Sequence, residues 1–289
     1  MQNLLQETKF ILNKYQLKAN KNLGQNFLID ANVVEKIVEV ANIDKQDLVI
    51  EIGPGLGTLT KELLEKSGRV LCIELDSKMI TILQDRFAMY KNIDIINEDV
   101  LNLDLKKIIK EKKEEYQLKT VKIVANLPYY ITTPIVMKLL EEDLDIESIT
   151  IMIQKEVADR LVAEPGTALS GSISYAINYY TEPEVVLEVP NTAFLPAPQV
   201  DSEVIKLKIR KEPAVQVKNK NRLFQLIKMS FMQRRKTLIN ALYNGKIMEN
   251  KHEIEHMLLE LNIDIKTRGE KLSLEQFAQI SDYIEERKK

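Results

Sequence analysis

The sequence predicts an α/β protein with a doubly wound, mostly parallel β-sheet and a small C-terminal domain made only of helices. Three observations support this fold class. Short apolar runs alternate with helical patterns between residues 48 and 154, a glycine-rich turn follows the first of those runs, and apolar residues recur only at helical spacing after residue 220. At 289 residues, of which 45% are hydrophobic, the chain can bury one substantial core and still form a second, smaller unit.

Helices are expected at the start of the chain, over residues 3–16 and 31–42. Five apolar runs follow, and a helical pattern separates each run from the next. Because parallel strands need long crossover connections, this alternation predicts a parallel sheet with helices on both faces. The predicted strands are "LVIEI" (48–52), "RVLCIEL" (69–75), "IDIIN" (93–97), "VKIVAN" (121–126) and "SITIMIQ" (148–154).

Two more strands and a helical tail complete the predicted order. The strands are "EVVLEV" (184–189) and "SEVIKLKI" (202–209), and the polar stretch "RKEPAVQVKNK" (210–220) marks a domain boundary. We therefore divide the chain into a ligand-binding domain, residues 1–210, and a helical domain, residues 211–289. Helical spacing in the second domain covers "RLFQLIKMSFMQRRKTLINAL" (222–242), "KHEIEHMLLEL" (251–261) and "SLEQFAQISDYIEER" (273–287).

The composition argues against several classes of protein. One cysteine and two histidines cannot form a disulfide framework, and they leave too few soft ligands for a closed zinc site. The sequence shows no signal-peptide pattern and no apolar run long enough to span a membrane. We therefore expect a cytoplasmic protein without a metal site.

A glycine-rich turn, "EIGPGLGTLT" (51–60), follows the first main strand. Ligands of parallel sheets bind beyond the carboxyl ends of the strands, so Gly53, Gly55 and Gly57 are expected to bring bare backbone against a cofactor. A dinucleotide fingerprint would need glycine at position 58. The chain has Thr58 there, which argues against a nicotinamide-dependent oxidoreductase. The alternative is a tight turn that binds nothing.

Polar side chains stand at or just after the ends of the next three strands. Glu74 lies at the end of the second strand, Asp99 follows the third, and Asn126 ends the fourth. An acidic side chain in the position of Glu74 can accept both hydroxyls of a ribose. Because parallel strands end at one edge of a sheet, the three residues predict a nucleoside-shaped pocket. Each of them alone would also suit a helix cap or a solvated loop.

Basic residues are concentrated towards the C-terminus, although the net charge of the chain is −2. Residues 206–251 contain 13 Lys or Arg and 2 acidic residues, which predicts a local cationic face suited to nucleic acid. Arg234, Arg235 and Lys236 are consecutive within a predicted helix, where they would spread across an arc that can contact a phosphate backbone. A solvated helix face is the alternative interpretation.

These motifs resemble a known class of enzymes. The glycine-rich turn, Glu74, "EDVL" (98–101) and "NLPY" (126–129) are similar to class I S-adenosylmethionine-dependent methyltransferases. Within that class, "NLPY" resembles the members that methylate exocyclic amines of bases.

Further motifs extend the resemblance over most of the chain. "NLGQNFLID" (22–30), "FLPAPQVDS" (194–202) and "FMQRRKTLINAL" (231–242) are similar to the small-subunit (16S) ribosomal RNA adenine N6,N6-dimethyltransferases. The chain departs from that family at Tyr130, where Asn is frequent, and at Gln199, where Lys is frequent. The segment "GTALSGS" (166–172) also lacks the aromatic residue that is usual before its final Gly-Ser.

The resemblance implies an activity and a set of site residues. The protein would transfer methyl groups from S-adenosyl-L-methionine to adjacent adenosines near the 3′ end of small-subunit ribosomal RNA, as a monomer acting on the assembling subunit. Residues that would bind the cofactor are Asn26, Leu28, Gly53, Gly55, Glu74, Asp99 and Asn126. Residues that would hold the base are Asn126, Leu127, Pro128, Tyr129 and Phe194, and those that would contact RNA are Arg234, Arg235 and Lys236.

The stretch "NLPYY" (126–130) suits this chemistry in physical terms. The N6 amine of adenine is a poor nucleophile because its lone pair is delocalised into the ring, so an enzyme must turn that lone pair towards the methyl group. The side-chain oxygen of Asn126 and the carbonyl of Leu127 can accept the two N–H groups of the amine. Tyr129 and Phe194 can stack on the two faces of a base that has left its helix.

Two other functions share part of this pattern. The large-subunit RNA methyltransferases that give antibiotic resistance have the same core, but "QRRKTLINAL" (233–242) and the long helical tail favour the small-subunit group. A ribosome-assembly factor with secondary catalysis would need the same cationic face. The activity of a variant at Asn126 would separate the second alternative from an enzyme.

Overall fold

The computed structural model describes residues 4–17, 25–128 and 131–287, and it confirms the predicted fold class. Seven strands form one mostly parallel sheet, and two short strands form a second sheet. The strands are β1 (Phe27–Leu28), β2 (Asp47–Ile52), β3 (Arg69–Glu74), β4 (Ile93–Asn97), β5 (Thr120–Asn126), β6 (Ser148–Gln154), β7 (Thr181–Val189), β8 (Phe194–Leu195) and β9 (Ser202–Ile209).

The strand order of the large sheet is β4-β3-β2-β5-β6-β9-β7. Neighbours from β4 to β6 pair in parallel, whereas β9 pairs antiparallel with β6. The chain first runs outward from β2 to β3 and β4, and then returns to place β5 on the other side of β2. This reversal creates a switch point, where the carboxyl ends of β2 and β5 leave a crevice for a ligand.

The central strands of the sheet are buried on both faces because helices cover them. Successive side chains of a strand point to opposite faces, yet Val70, Leu71 and Cys72 of β3 are all fully buried. Within the described residues, no helix is both long and apolar enough to cross a membrane. The α-helices are α1 (Leu4–Lys14), α2 (Ala31–Ala41), α3 (Thr58–Lys66), α4 (Ser77–Arg86), α5 (Leu105–Tyr116), α6 (Thr132–Glu141), α7 (Lys155–Val162), α8 (Ser172–Tyr180), α9 (Lys220–Met232), α10 (Leu238–Asn244), α11 (Lys251–Glu260) and α12 (Leu274–Glu286).

The chain folds into two compact units, and their division differs from the predicted one. Residues 1–158 and 184–209 form the first unit, while residues 159–183 and 210–289 form the second. The predicted boundary had assigned residues 159–183 to the ligand-binding domain. The segment instead packs with the C-terminal helices.

Tyr175 of α8 explains why that segment joins the second unit. Its ring packs edge-on against Phe231 and Phe277, with centroid distances of 5.3 and 5.4 Å. Its hydroxyl donates a hydrogen bond of 2.6 Å to the backbone carbonyl of Leu272. The side chain is fully buried, so α8 is part of the core that α9 and α12 form. Such long-range contacts leave no periodic signal in the sequence.

A buried ion pair lies near the amino ends of β2 and β5. The ammonium of Lys122 is 2.8 Å from Oδ2 of Asp47, and neither side chain is more than 4% exposed. The Asp47 carboxylate also accepts the backbone N–H of Asp44 at 2.8 Å. Loss of either partner would leave an uncompensated charge in the core, which is far more costly than loss of an exposed pair.

Replacing Asp47 by asparagine should therefore lower the free energy of unfolding by about 3 kcal/mol, because the buried charge of Lys122 would keep only the half-exposed carboxylate of Glu147, 3.6 Å away, as its counter-charge. Asp143→Asn is the matched control. Asp143 lies 3.7 Å from Lys106 and both side chains are largely exposed, so the loss there should stay below about 1 kcal/mol. Chemical denaturation measures both values. Equal losses in the two variants would contradict the importance of the buried pair.

Candidate active site

The glycine turn after β2 leaves backbone open at the switch point. Gly53 has a φ of +67°, and its N–H donates to the carbonyl of Ile73 in β3 at 2.9 Å. A Cβ atom at Gly53 would meet no atom within 4 Å, so this residue borders open space and glycine is favoured by its backbone conformation. Packing favours glycine at position 57, where a Cβ would lie 2.5 Å from the ring of Phe87.

Glu74 ends β3 and is held by two backbone hydrogen bonds. Its Oε2 accepts the N–H of Gly55 at 3.0 Å, and its Oε1 accepts the N–H of Asp76 at 2.9 Å. Burial raises the pKa of this carboxyl, while the backbone N–H donors of Asp76, Gly55 and Leu75 act in the opposite direction. Each oxygen keeps a free lone pair, so two adjacent hydroxyls can bind here without movement of the side chain.

Asp99, just after β4, is both a helix cap and a residue of the pocket. Its Oδ1 accepts the N–H of Leu101 at 2.9 Å and so caps the short 3-10 helix Val100–Asn102. The same residue borders the cavity at the sheet edge. Within the described part of the chain, its Oδ2 accepts no hydrogen bond, so one oxygen is available to a ligand.

Hydrogen bonds hold the turn after β5, and two acceptors there have no partner among the residues that the structure describes. The N–H of Leu127 donates to the backbone carbonyl of Met152 at 3.1 Å. The carbonyl of Pro128 accepts a hydrogen bond from the hydroxyl of Thr132, also at 3.1 Å. The side chain of Asn126 and the carbonyl of Leu127 make no hydrogen bond to any residue that the structure describes. Both residues line the cavity.

Two short strands bring distant motifs together at the cavity. β1 pairs antiparallel with β8, which places Leu28 opposite Phe194. Phe194 is only 3% exposed and belongs to the core cluster around the large sheet, yet it also borders the cavity. It is therefore a core aromatic and a wall of the pocket at once. Asn26 directly precedes β1 and lines the same cavity.

One cavity thus brings together most of the predicted site residues. Those that line it are Asn26, Leu28, Gly53, Gly55, Glu74, Asp99, Asn126, Leu127, Pro128 and Phe194. Tyr129 and Tyr130 lie outside the described residues. The role of each residue in binding or catalysis stays a prediction.

The cavity also contains residues that the sequence analysis missed. They include Gln25, Phe27, Glu51, Leu75 and Glu98. Gln25, Phe27, Glu51 and Glu98 stand inside quoted motifs, and Leu75 follows Glu74 directly, so adjacency could have identified all five. A charge at Glu51, inside an otherwise apolar strand, was a further signal.

The prediction of a continuous helix over residues 222–242 is wrong. Helix α9 ends at Met232 and α10 begins at Leu238, so the basic cluster lies in the turn that connects them. Gln233 at the end of α9 has φ −126° and ψ 46°, which is outside the helical region. Helical spacing continued through the turn without Gly or Pro, and the sequence therefore gave no stop signal.

The three basic residues of this turn have different environments. Arg234 donates from Nε to Oε2 of Glu270 at 2.9 Å and from Nη2 to the carbonyl of Ser170 at 3.3 Å. The side chains of Arg235 and Lys236 are exposed and make no hydrogen bond or ion pair with the described residues. Only these two present free cationic groups to a partner.

Comparisons with known proteins show which family the chain belongs to. A family model described as ribosomal RNA adenine dimethylase matches residues 16–286. Ribosomal RNA small subunit methyltransferase A of Bacillus licheniformis is 49% identical over 283 residues, which cover 96% of each chain. The protein of the same name from Clostridioides difficile is 47% identical over 277 residues, which cover 96% of this chain and 94% of that one.

Solved structures share the fold at lower identity. A dimethyladenosine transferase from Plasmodium falciparum superposes with a TM-score of 0.73 at 24% identity, covering 88% of this chain and 95% of that one. The 23S rRNA methyltransferase ErmE gives a TM-score of 0.69 at 24% identity, covering 90% and 100%. These two likenesses concern the fold alone. The family model and the near-full-length relatives show that the chain belongs to the ribosomal RNA adenine dimethylase family, a family of S-adenosylmethionine-dependent methyltransferases.

Proposed function

We propose that this protein transfers two methyl groups from S-adenosylmethionine to N6 of adjacent adenosines near the 3′ end of small-subunit ribosomal RNA, forming N6,N6-dimethyladenosine. One observation carries the proposal. The side chain of Asn126 and the carbonyl of Leu127 line the cavity without a hydrogen bond from the described residues. Two free acceptors match the two N–H bonds of an exocyclic amine. The names of the relatives support the choice of RNA.

The cavity fits the parts of S-adenosylmethionine. Glu74 offers two oriented oxygens to ribose hydroxyls, the turn at Gly53 lets the ligand approach the backbone, and the half-exposed side chain of Leu75 offers apolar surface to a flat base. When bound, the cofactor supplies an activated methyl group, so the protein needs no nucleophile of its own. Burial raises the pKa of the Cys72 thiol, which makes that side chain inert.

The protein would promote transfer by position. Asn126 Oδ1 and the Leu127 carbonyl would accept the N–H groups of the amine and turn its lone pair out of the plane of the base. The same oxygens would stabilise positive charge on the nitrogen until its proton leaves to solvent. Phe194 would stack on one face of the base, and we assign the other face to Tyr129.

The turn between α9 and α10 would contact the RNA backbone. The side chains of Arg235 and Lys236 are exposed and have no hydrogen-bond or ion-pair partner among the described residues, so their charges are available to phosphates. Arg234 would instead hold the turn in place through Glu270. We further propose that the protein acts as a monomer, in the cytoplasm, on assembling small ribosomal subunits.

Glu74→Ala should weaken S-adenosylmethionine binding by roughly 1.5 to 3 kcal/mol, because it removes a charged acceptor from the ribose hydroxyls. Isothermal titration calorimetry gives the dissociation constant, and thermal unfolding confirms that the variant is folded. Glu141→Ala is the control, since Glu141 is exposed and does not line the cavity. An unchanged dissociation constant in Glu74→Ala would place the cofactor elsewhere.

Asn126→Ala should reduce turnover by about 10²-fold, because the amine would lose its orientation in the reactive complex. The affinity for RNA should change little, since phosphate contacts supply most of it. Single-turnover kinetics and RNA binding, measured on the same preparation with saturating cofactor, separate the two effects. Equal losses of turnover and RNA affinity would rule out an orienting role.

Arg235→Ala and Lys236→Ala should each flatten the dependence of log RNA affinity on log salt by roughly 0.7 to 0.9, because each removes one phosphate contact. Arg234→Ala is the matched control. Removal of the Arg234 side chain breaks its hydrogen bonds to Glu270 and Ser170. We therefore expect a lower unfolding temperature, and a smaller change in the salt dependence of RNA affinity than in the other two variants. Salt titrations of RNA binding and thermal unfolding test all three variants. An unchanged slope in both Arg235→Ala and Lys236→Ala would move the RNA surface away from this turn.

A further inference from the structure

The cavity is lined by acidic groups. Glu51, Glu74, Glu98 and Asp99 all border it, and no Lys, Arg or His occurs among the described residues that line it. S-adenosylmethionine carries a sulfonium, an ammonium and a carboxylate, so it is a net cation. Methyl transfer converts the sulfonium to a thioether, so the product S-adenosylhomocysteine has no net charge. An anionic cavity therefore distinguishes the two ligands by charge.

Glu51 is the most deeply buried of these four acids. It is the second-last residue of β2, where it pairs with Cys72 of β3 and Val124 of β5. The residue is 1% exposed. Its Oε2 accepts the hydroxyl of Thr60 at 2.6 Å and lies 3.8 Å from the thiol of Cys72. Within the described residues, its Oε1 accepts no hydrogen bond.

The surroundings of Glu51 favour its neutral form when the cavity is empty. Burial is the main cause that raises the pKa of this carboxyl to about 8, and the nearby charge of Glu74 adds to the effect. The groups that face it are Thr60 from α3, and Cys72 and Glu74 from β3. Burial also raises the pKa of the Cys72 thiol, so that group is neutral as well and brings no compensating charge.

We infer that Glu51 is a specificity-determining residue that releases its proton to solvent when the cationic cofactor enters the cavity, and keeps that proton when the neutral product is bound. This inference rests on the proposed cofactor site. A positive ligand in a cavity of low dielectric constant stabilises the carboxylate, whereas a neutral ligand leaves the cost of burial uncompensated. The charge lost in methyl transfer then weakens binding of the product relative to the cofactor.

The sign of the pH dependence follows from this linkage. The cofactor binds the deprotonated form, so its affinity should rise with pH until about 8, where the empty protein itself loses the proton. The affinity for the product should show no such rise from Glu51. The ratio of the two affinities should therefore increase by up to about tenfold per pH unit below that point.

Proton release can be measured directly by calorimetry on the full chain. Binding is measured at about pH 6.5 in buffers of different ionisation enthalpy, a pH at which the ammonium groups of both ligands stay protonated. We expect release of about one proton with S-adenosylmethionine and about none with S-adenosylhomocysteine. Glu51→Gln should abolish the release. Glu141→Gln, which removes an exposed acid outside the cavity, should leave it unchanged.

Several outcomes would overturn the inference. Equal proton release with both ligands, or equal release in the wild type and Glu51→Gln, would exclude the role of Glu51. If Glu51→Gln does not fold, the ratio of the two affinities in the wild type between about pH 6 and 8 decides, and a flat ratio contradicts the linkage. Failure of the wild type to bind S-adenosylmethionine at all would instead refute the proposed function.

The protonation of Glu51 can also be tested without any ligand, from the pH dependence of unfolding. Its pKa is raised from 4.5 to about 8 by folding, so the folded state binds the proton more tightly than the unfolded state does. The wild type should therefore lose stability as pH rises between these two values, and Glu51→Gln should lose less over the same range. Identical pH profiles of unfolding would show that Glu51 is already ionised in the empty protein.

Discussion

The two backbone hydrogen bonds to Glu74 are the interaction on which the shape of the cavity depends. One comes from the glycine turn after β2, at Gly55, and the other from the start of α4, at Asp76. A single carboxylate therefore joins the glycine turn after β2 to the end of β3 and the start of α4. Because both oxygens are fixed, a ligand meets an oriented pair of acceptors and no side chain has to be ordered on binding. The positive φ of Gly53 gives the ligand access to that pair.

Buried carboxylates have a cationic partner at one end of the sheet and none at the other, among the described residues. Near the amino ends, Asp47 is neutralised by Lys122 from the same chain, and the pair supports the fold. At the carboxyl ends, Glu51 and Glu74 have no cation among the described residues that line the cavity. A cationic ligand can supply the missing charge there. Buried carboxylates without a cationic partner lower the stability of the fold at the cavity, where a cationic ligand would bind. Functional sites frequently show this arrangement.

The sequence predicted the strands of the large sheet closely, because each apolar run is bounded by turns or polar residues, and the runs of the central strands are buried on both faces. It also located Glu74 and Asn126, since residues at strand ends share one edge of a parallel sheet. Other features depend on contacts between distant residues and could not be predicted from local patterns. Examples are the placement of α8 in the second unit through Tyr175, and the pairing of β1 with β8 that brings Phe194 to the cavity. The break at residues 233–237 was missed for lack of a stop signal.

The most direct test of the proposed activity is mass spectrometry of nucleosides from ribosomal RNA. Purified protein and S-adenosylmethionine are incubated with small and large ribosomal subunits whose adenosines are unmethylated. We expect N6,N6-dimethyladenosine in the small-subunit RNA and none in the large-subunit RNA. Dimethyladenosine only in the large-subunit RNA, or only monomethylated adenosine in the small-subunit RNA after complete reaction, would contradict the proposal.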